Sequence, residues 1–231
     1  PYRDSLFKTI VRGMREVEDS DYEIPSSLAD TLRGYQKKGF RWLKSLDSCG
    51  FGGILADDMG LGKTIQIISL LLYENQHGGE GQTSIIICPA SLIYNWENEF
   101  ATFAPGLTVL AVAGTAEERE EKLKGAGGFD VIITSYDLLR RDLAFYEQMA
   151  FRFQVIDEAQ YIKNAQTQNA RAVKSLQSQS RFALTGTPIE NKLSELWSIF
   201  DYLMPGFLFS YQKFKQQFEN PIAKEQDEKA M

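Results

Sequence analysis

The stretch that decides the fold runs Gly53-Ile54-Leu55-Ala56-Asp57-Asp58-Met59-Gly60-Leu61-Gly62-Lys63-Thr64. An apolar strand leads into a glycine-rich turn, and the apolar run that follows is typical of a helix. Such a turn can fold its backbone N–H groups around phosphates, while its lysine binds the β and γ phosphates and its threonine hydroxyl binds Mg²⁺. We therefore predict an ATP and Mg²⁺ site. The residues assigned to the nucleotide here are Asp58, Met59, Gly60, Leu61, Gly62, Lys63 and Thr64.

One position departs from the general phosphate-loop pattern GxxxxGK[ST], because Asp57 stands where glycine is usual. Taken alone, the match is compatible with an ordinary turn. Its setting between a strand and a helix favours the phosphate loop.

A pair of carboxylates, Asp157 and Glu158, ends the apolar run Phe153-Gln154-Val155-Ile156. The end of a parallel strand places Asp157 at the sheet edge beside the phosphate turn, where its carboxylate can hold Mg²⁺. Glu158 can polarise the attacking water. The alternative is a solvated acidic strand end, and the upstream turn favours the catalytic assignment. The predicted catalytic residues are Glu158, Asp157 and Lys63.

A third signal is the stretch from Ala183 to Ile189, in which a strand leads into Thr185-Gly186-Thr187-Pro188. By itself this is compatible with an ordinary strand-to-loop exit. Because this stretch follows the first two motifs in order, its interpretation as a functional turn becomes more specific.

The remaining pattern predicts an α/β fold, in which a mostly parallel central sheet carries helices on both faces as a three-layer sandwich. After Pro25, short β-branched runs alternate with segments of helical period, and several runs are apolar throughout. The predicted strands are 53–56, 84–88, 108–112, 130–134, 154–157 and 181–184. A helix over 192–204 should bury Trp197, another should begin at Ser91 with Trp96 in the core, and Thr115 should cap a third.

Composition sets outer bounds on function. The chain has 231 residues and a net charge of -6, which argues against nucleic-acid binding by overall attraction but allows a local basic groove. No apolar run is long enough for a bilayer, and no signal peptide is evident, so we expect a cytosolic or nuclear protein without membrane contact. Cys49 and Cys88 are interpreted as plain thiols, and His77 as a loop residue. Acid–base chemistry must then come from carboxylates or bound water.

We expect three segments along the chain. Residues 1–24 form a helical extension, 25–206 the nucleotide-binding lobe, and 207–231 the start of a helical segment that has been cut. Phe207, Phe209, Tyr211, Phe214 and Phe218 are too aromatic for a free tail.

Six ordered blocks carry a family resemblance, over about residues 25–210. They are LRGYQKKGFRWL, GGILADDMGLGKTIQ, IIICPASLIYNW, VIITSYDLLRRD, VIDEAQYIKN and ALTGTPIENKLSELWSIFDYLMPG. The series resembles the first RecA-like lobe of the Swi/Snf-type ATPases of helicase superfamily 2. That family consists of ATP-driven motors that move along duplex DNA and remodel protein–DNA complexes, generally without separating the strands. In this family Asp57 is the normal residue.

The resemblance implies a role for each matching residue. Gln36 would read the adenine, and the turn and carboxylates would serve as already assigned, with Thr64 and Asp157 at the metal. Residues implied to couple nucleotide state to lobe position are Gln160, Thr185, Gly186 and Thr187. Many relatives have histidine in place of Gln160, so its coupling role depends on its amide.

The resemblance also implies that the duplex DNA backbone lies along loops that follow the second and fourth strands. Backbone N–H groups and hydroxyls there can bind phosphates without reading sequence. The alternative is that these residues only cap helices. The predicted contacts are Pro89, Ala90, Ser91, Thr134, Ser135 and Tyr136, with Lys163 and Asn164 added past the acidic motif.

A motor of this kind needs a second RecA-like lobe with an arginine that reaches the γ phosphate. An arginine finger contributes about 10³ to 10⁵ in rate, so we expect this chain alone to hydrolyse ATP slowly. Three hypotheses remain at this stage: a duplex-DNA translocase, a strand-separating helicase, and a nucleotide-gated scaffold without turnover.

Overall fold

The computed structural model describes residues 22–58, 60–78, 82–187 and 193–221. Within them, six strands form one sheet in the order β1-β6-β5-β2-β4-β3, and each neighbouring pair is parallel. The predicted parallel sheet is therefore confirmed. The strands are β1 (Gly53–Leu55), β2 (Ser84–Cys88), β3 (Val109–Ala111), β4 (Val131–Ser135), β5 (Ala150–Ile156) and β6 (Gln177–Leu184).

Helices connect the strands and lie on both faces of the sheet. They are α1 (Gly34–Ser48), α2 (Lys63–His77), α3 (Ile93–Phe103), α4 (Ala116–Lys124), α5 (Tyr136–Arg141), α6 (Leu143–Tyr146), α7 (Gln168–Ser175), α8 (Leu193–Leu203) and α9 (Tyr211–Phe214). Short 3₁₀ turns occur at Ser26–Leu28, Ala90–Leu92, Ala126–Gly128 and Ala159–Ile162, and a π-helical turn at Lys215–Glu219. As predicted, Thr115 caps α4, and its hydroxyl and Glu118 form a capping box.

Two hydrophobic cores sandwich the sheet, because successive side chains of a strand point to opposite faces. In β2, Ile86 and Cys88 belong to the core beneath α1, α2 and α3. Ile85 and Ile87 belong to the core beneath α5, α7 and α8. All of β2 is buried, as expected for a central parallel strand. The predicted three-layer α/β architecture is confirmed.

The buried face of α8 differs from the prediction. Trp197 is only half-buried, whereas Ser198, Ile199, Tyr202 and Leu203 are buried. Two polar contacts fix this orientation: the Ser198 hydroxyl donates to the carbonyl of Ile162 at 2.6 Å, and the Tyr202 hydroxyl donates to the carbonyl of Gln154 at 2.8 Å. Because Trp197 is only half-buried, the prediction that it is a core residue is wrong. The apolar spacing could not reveal the polar contacts that set the buried face of α8.

A buried ion network closes the amino-terminal edge of the sheet. The Arg152 guanidinium on β5 donates to both carboxylate oxygens of Asp47 and to Glu74. Lys44 donates to the same two carboxylates, and the Ser180 hydroxyl donates to Asp47 at 2.6 Å. The network ties α1 and α2 to β5 and β6. Two buried members of the network, Arg152 and Ser180, lie in parts of β5 and β6 that precede the predicted strands 154–157 and 181–184.

The segment after α8 presents aromatic side chains to solvent. Phe207, Phe209, Tyr211 and Phe218 are exposed, whereas Phe214 is buried. No helix among the described residues has the length and apolar character that crossing a bilayer requires.

Candidate nucleotide site

The parallel sheet brings the three predicted motifs to one edge. β1, β6 and β5 are neighbours, and their carboxyl ends lead into the phosphate turn, the Thr185 turn and the acidic pair respectively. The Thr185 N–H donates to the carbonyl of Leu55 at 3.3 Å, and the Asp157 N–H donates to that of Ile87 at 2.8 Å. Residues far apart in sequence thus form one site.

The phosphate turn depends on two glycines in the left-handed region. Gly60 has φ +83°, and Gly62, which precedes the first residue of α2, has φ +74°. A Cβ on Gly62 would also lie 2.4 Å from the Gln36 side chain. The Lys63 ammonium donates to the carbonyls of Asp57 at 2.7 Å and Asp58 at 3.2 Å, so it lies within the turn. Met59 lies outside the described residues.

The unusual Asp57 has a buried partner. Its carboxylate accepts a hydrogen bond from the Gln66 amide at 3.0 Å, and the same amide contacts the carbonyl of Gly62 at 3.3 Å. Gln66 is fully buried, and its amide nitrogen makes both bonds, while its amide oxygen has no hydrogen-bond partner among the described residues. It ties the start of the turn to α2. We did not predict this role, although a glutamine within an apolar helical run was a signal for it.

Gln36 lies where a base could be bound. It lines a cavity of about 500 Å³ together with Gly60, Gly62 and Ile65. Its amide donates to the carbonyl of Leu61 at 3.0 Å and accepts from the Arg33 N–H at 2.9 Å. Gln36 therefore stabilises the phosphate turn through a hydrogen bond of its own, independently of any base in the cavity.

Asp157 is the most constrained residue of the site. It is 9% exposed, and its carboxylate accepts from the Trp96 indole N–H and from the Glu158 N–H, each at 2.9 Å. Burial raises the pKa of Asp157, and the charge of Glu158 adds to the rise, while these two hydrogen bonds and the Lys63 charge oppose it. Lys63 and Asp157 follow β1 and β5, which both pair in parallel with β6, so the two residues lie at the same edge of the sheet. Trp96 is buried as predicted, but its contact with Asp157 was not predicted.

Glu158 adopts a strained conformation. It has φ +52° and ψ +60°, which is uncommon for a residue other than glycine, asparagine or aspartate. Its carboxylate accepts from the Gln160 amide at 2.7 Å, and the Gln160 oxygen accepts from the Thr185 hydroxyl at 3.3 Å. The Thr187 N–H in turn donates to Thr185 at 3.1 Å, across Gly186. A continuous chain thus joins the acidic pair to the Thr185 turn.

The residues present fit a magnesium nucleotide. Mg²⁺ usually keeps several waters and binds one or two protein oxygens plus substrate phosphates. Thr64 offers a hydroxyl beside the turn, and the Asp157 carboxylate keeps lone pairs beyond the two it uses. No cluster of three acidic, histidine or cysteine side chains is found in the described part of the chain, so nothing there resembles an all-protein metal cage.

The predicted DNA contacts differ in accessibility. Ala90 and Ser91 are exposed and Pro89 is half-buried, at the carboxyl edge of β2. Thr134, Ser135 and Tyr136 are buried, so their hydroxyls are closed to solvent, and their contact with DNA stays a prediction. The Ser135 hydroxyl instead caps α5 by accepting from the Leu138 N–H, and that of Tyr136 donates to the carbonyl of Asp157.

Lys163 and Asn164 lie in a separate groove. Together with Trp197 and Tyr211 they line a cavity of about 690 Å³ between the 163–166 segment and α8. The Asn164 side chain accepts from the Gln166 N–H at 3.0 Å, which stabilises the local turn.

The SNF2-related domain family matches residues 35–231. The chain is 42% identical over 219 residues to the TATA-binding protein-associated factor MOT1 of Saccharomyces cerevisiae, an alignment that covers 90% of this chain and 12% of that protein. It is 42% identical over 216 residues to the helicase SWR1 of Candida glabrata, covering 88% of this chain and 15% of that protein.

A solved structure agrees with the sequence matches. The Sulfolobus solfataricus SWI2/SNF2 ATPase core in complex with dsDNA superposes with a TM-score of 0.78 and 44% identity, over 89% of this chain and 42% of that chain. The chain thus spans only a part of each of these relatives. The match over residues 35–231 takes in all of the site motifs, from Gln36 to the Thr185 turn. The resemblance stated from the sequence is confirmed, and the chain belongs to the SNF2-related domain family.

Proposed function

We propose that this chain is the ATP-binding lobe of a motor that hydrolyses ATP on duplex DNA, translocates along it and remodels protein–DNA complexes. The observation that carries the proposal is that β1, β6 and β5 are parallel neighbours, so the turns that hold Lys63 and Asp157 leave the same edge of the sheet. Family membership and the 44% identity to a solved core bound to dsDNA support it.

We assign the chemistry to this chain's own groups. The turn N–H groups, Lys63 and Thr64 would bind the nucleotide, and Thr64 and Asp157 would hold magnesium, which would supply charge neutralisation at the phosphates. Glu158 orients and deprotonates the attacking water, and the hydrogen bond from the Gln160 amide positions its carboxylate. Phosphoryl transfer needs mainly positioning and charge stabilisation, which this set supplies.

Coupling and base recognition are further parts of the proposal. The hydrogen-bond chain from Glu158 through Gln160 to Thr185 supports a role for these residues, with Gly186 and Thr187, in coupling nucleotide state to lobe position. Gln36 lines the cavity next to the turn, which supports adenine binding there.

We assign the duplex backbone to the same edge of the sheet. Ala90 and Ser91 are exposed at the start of the turn that leads into α3, and their N–H groups and the Ser91 hydroxyl can bind phosphates. At the second loop, Thr134, Ser135 and Tyr136 are buried as whole residues, so their burial gives the predicted phosphate contact no support. Lys163 and Asn164 add polar groups beyond the acidic motif.

The experiment is a steady-state ATPase assay of the full-length protein with no nucleic acid, with single strands and with duplex DNA. We expect duplex DNA to stimulate turnover most, and a Lys63→Ala variant to abolish the stimulated rate. Equal rates in all three conditions would contradict the proposal. Stimulation mainly by single strands, together with unwinding of a tailed duplex, would replace it with a strand-separating helicase.

A further inference from the structure

Two buried aromatic side chains from different helices donate hydrogen bonds to the same residue. The Trp96 indole N–H on α3 donates to the Asp157 carboxylate at 2.9 Å. The Tyr136 hydroxyl, at the first residue of α5, donates to the backbone carbonyl of Asp157 at 2.6 Å. Asp157 is therefore held from its side chain and from its main chain at once.

Both aromatics belong to the connections that are proposed to meet DNA. Trp96 lies on the helix that follows Ala90 and Ser91, and Tyr136 follows directly on β4. Trp96 is 1% and Tyr136 2% exposed, and neither side chain can move without moving its neighbours in the close-packed core. A displacement of either helix start is thus transmitted to Asp157.

The held residue sets the geometry of the acidic pair. The Tyr136 bond fixes the carbonyl of the peptide that joins Asp157 to Glu158, and the Asp157 carboxylate accepts from the Glu158 N–H in turn. Glu158 is strained at φ +52° and depends on such restraints to persist. The Tyr136 ring also stacks on Tyr161, at 5.0 Å between centroids and 7° between planes, in the turn just after Glu158.

We propose that Trp96 and Tyr136 are positioning residues that couple DNA contact to the alignment of Asp157 and Glu158. The inference rests on the proposed function, since it explains how duplex DNA would accelerate hydrolysis. Such coupling is measured by the change that one substitution makes in the effect of the other.

The first arm compares Tyr136→Phe with Tyr202→Phe in the full-length protein. Each change deletes one buried hydroxyl that donates to a backbone carbonyl. The Tyr136 hydroxyl donates to the carbonyl of Asp157, and the Tyr202 hydroxyl donates to that of Gln154. We expect Tyr136→Phe to lower the DNA-stimulated kcat about tenfold, the effect of one lost buried hydrogen bond. The KM for ATP and the Kd for duplex DNA should stay within about twofold, as should all three constants in the Tyr202→Phe control.

The second arm compares Trp96→Phe with Phe100→Leu, which alters packing on the same helix without touching Asp157. Mg²⁺ should raise the affinity for nucleotide less in Trp96→Phe than in the unmodified protein. The Kd of a fluorescent ATP analogue, with and without Mg²⁺ and in the absence of turnover, measures the effect of Mg²⁺. Phe100→Leu should leave it intact. In the Trp96→Phe/Tyr136→Phe double variant, the loss of stimulated kcat should be smaller than the product of the single losses, because both act through one residue.

Several outcomes would overturn the inference. They include stimulated turnover that survives in Tyr136→Phe, equal losses with and without DNA, a parallel loss of DNA affinity, and independent effects in the double variant. Absence of DNA stimulation in the unmodified protein would instead overturn the proposed function, and this inference with it.

Discussion

At the scale of single residues, Asp157 combines a structural cost with a chemical use. Its burial raises its pKa, which means that the folded protein resists ionising the very carboxylate assigned to the metal. The Trp96 and Glu158 donors and the Lys63 charge offset part of that cost. Such perturbed groups concentrate at functional sites, which supports the assignment.

An Asp157→Asn substitution should separate the two effects. We expect Mg²⁺ no longer to strengthen ATP binding, because a neutral amide is a poor ligand for this ion. Thermal stability at neutral pH should change little, since removing a buried charge with a raised pKa offsets the loss of one of the two hydrogen bonds that Asp157 accepts. Nucleotide titrations with and without Mg²⁺, alongside thermal denaturation, measure both; an unchanged response to Mg²⁺ would exclude Asp157 as a ligand.

Glu158→Gln tests the catalytic assignment. The amide retains shape and can still contact Gln160, but it cannot accept the proton of the attacking water. We expect the full-length variant to bind ATP normally and to lose about 10²- to 10⁴-fold in stimulated kcat. Full activity would favour a scaffold in which this residue takes no part in turnover.

At the scale of elements, the ion network of Asp47, Glu74, Lys44 and Arg152 decides how α1 and α2 pack at the amino-terminal edge. Burial alone would raise the pKa of both carboxyls, but hydrogen bonds from Arg152 and Lys44 bring them below their ordinary values of 3.8 and 4.5. Their contribution to stability is therefore present above about pH 4.5, and it is lost as the pH falls through the lower folded values.

We predict that Asp47→Asn lowers the free energy of unfolding at neutral pH by about 3 kcal/mol, because it leaves Arg152 buried with one charge partner fewer. The same variant should lose less additional stability below pH 4.5 than the parent protein does. Denaturant unfolding at pH 7 and pH 3.5 measures both effects. Glu121→Gln, in an exposed pair with Lys124, is the matched control and should change neither value.

Elements also show what the sequence could and could not predict. Strand positions followed from apolar runs, since buried parallel strands need them, and the phosphate turn followed from its glycines. The buried face of α8 could not be predicted in this way. It is set by hydrogen bonds from the Ser198 and Tyr202 hydroxyls to backbone carbonyls on segments that are distant in sequence. The Trp96 and Tyr136 bonds to Asp157 were missed for the same reason: burial predicts that an aromatic is in the core but not which polar group it meets there.

At the scale of the whole molecule, the site lies along one sheet edge and faces outward. Hydrogen bonds join the Thr185 turn to the acidic pair. The residues proposed for the site include no arginine that would bind the γ phosphate. The division into segments 1–24, 25–206 and 207–231 stays a prediction. The proposed second lobe would complete the site from outside this chain.

This arrangement predicts slow hydrolysis by the chain on its own. Without an arginine from a second lobe, its kcat should be about 10³- to 10⁵-fold below that of the full-length protein on duplex DNA. A single-turnover assay with radiolabelled ATP can measure so low a rate. Comparable rates for the two proteins would mean that the site is complete within this lobe.

The account depends most on Lys63 and Asp157 sharing one metal–triphosphate pocket. A crystal structure of the chain with Mn²⁺ and a non-hydrolysable ATP analogue tests this directly through the anomalous signal of the metal. We predict the metal beside the Thr64 hydroxyl and the Asp157 carboxylate, bound directly or through water, with the Lys63 ammonium on the β and γ phosphates. A metal and triphosphate bound away from this sheet edge would contradict the account.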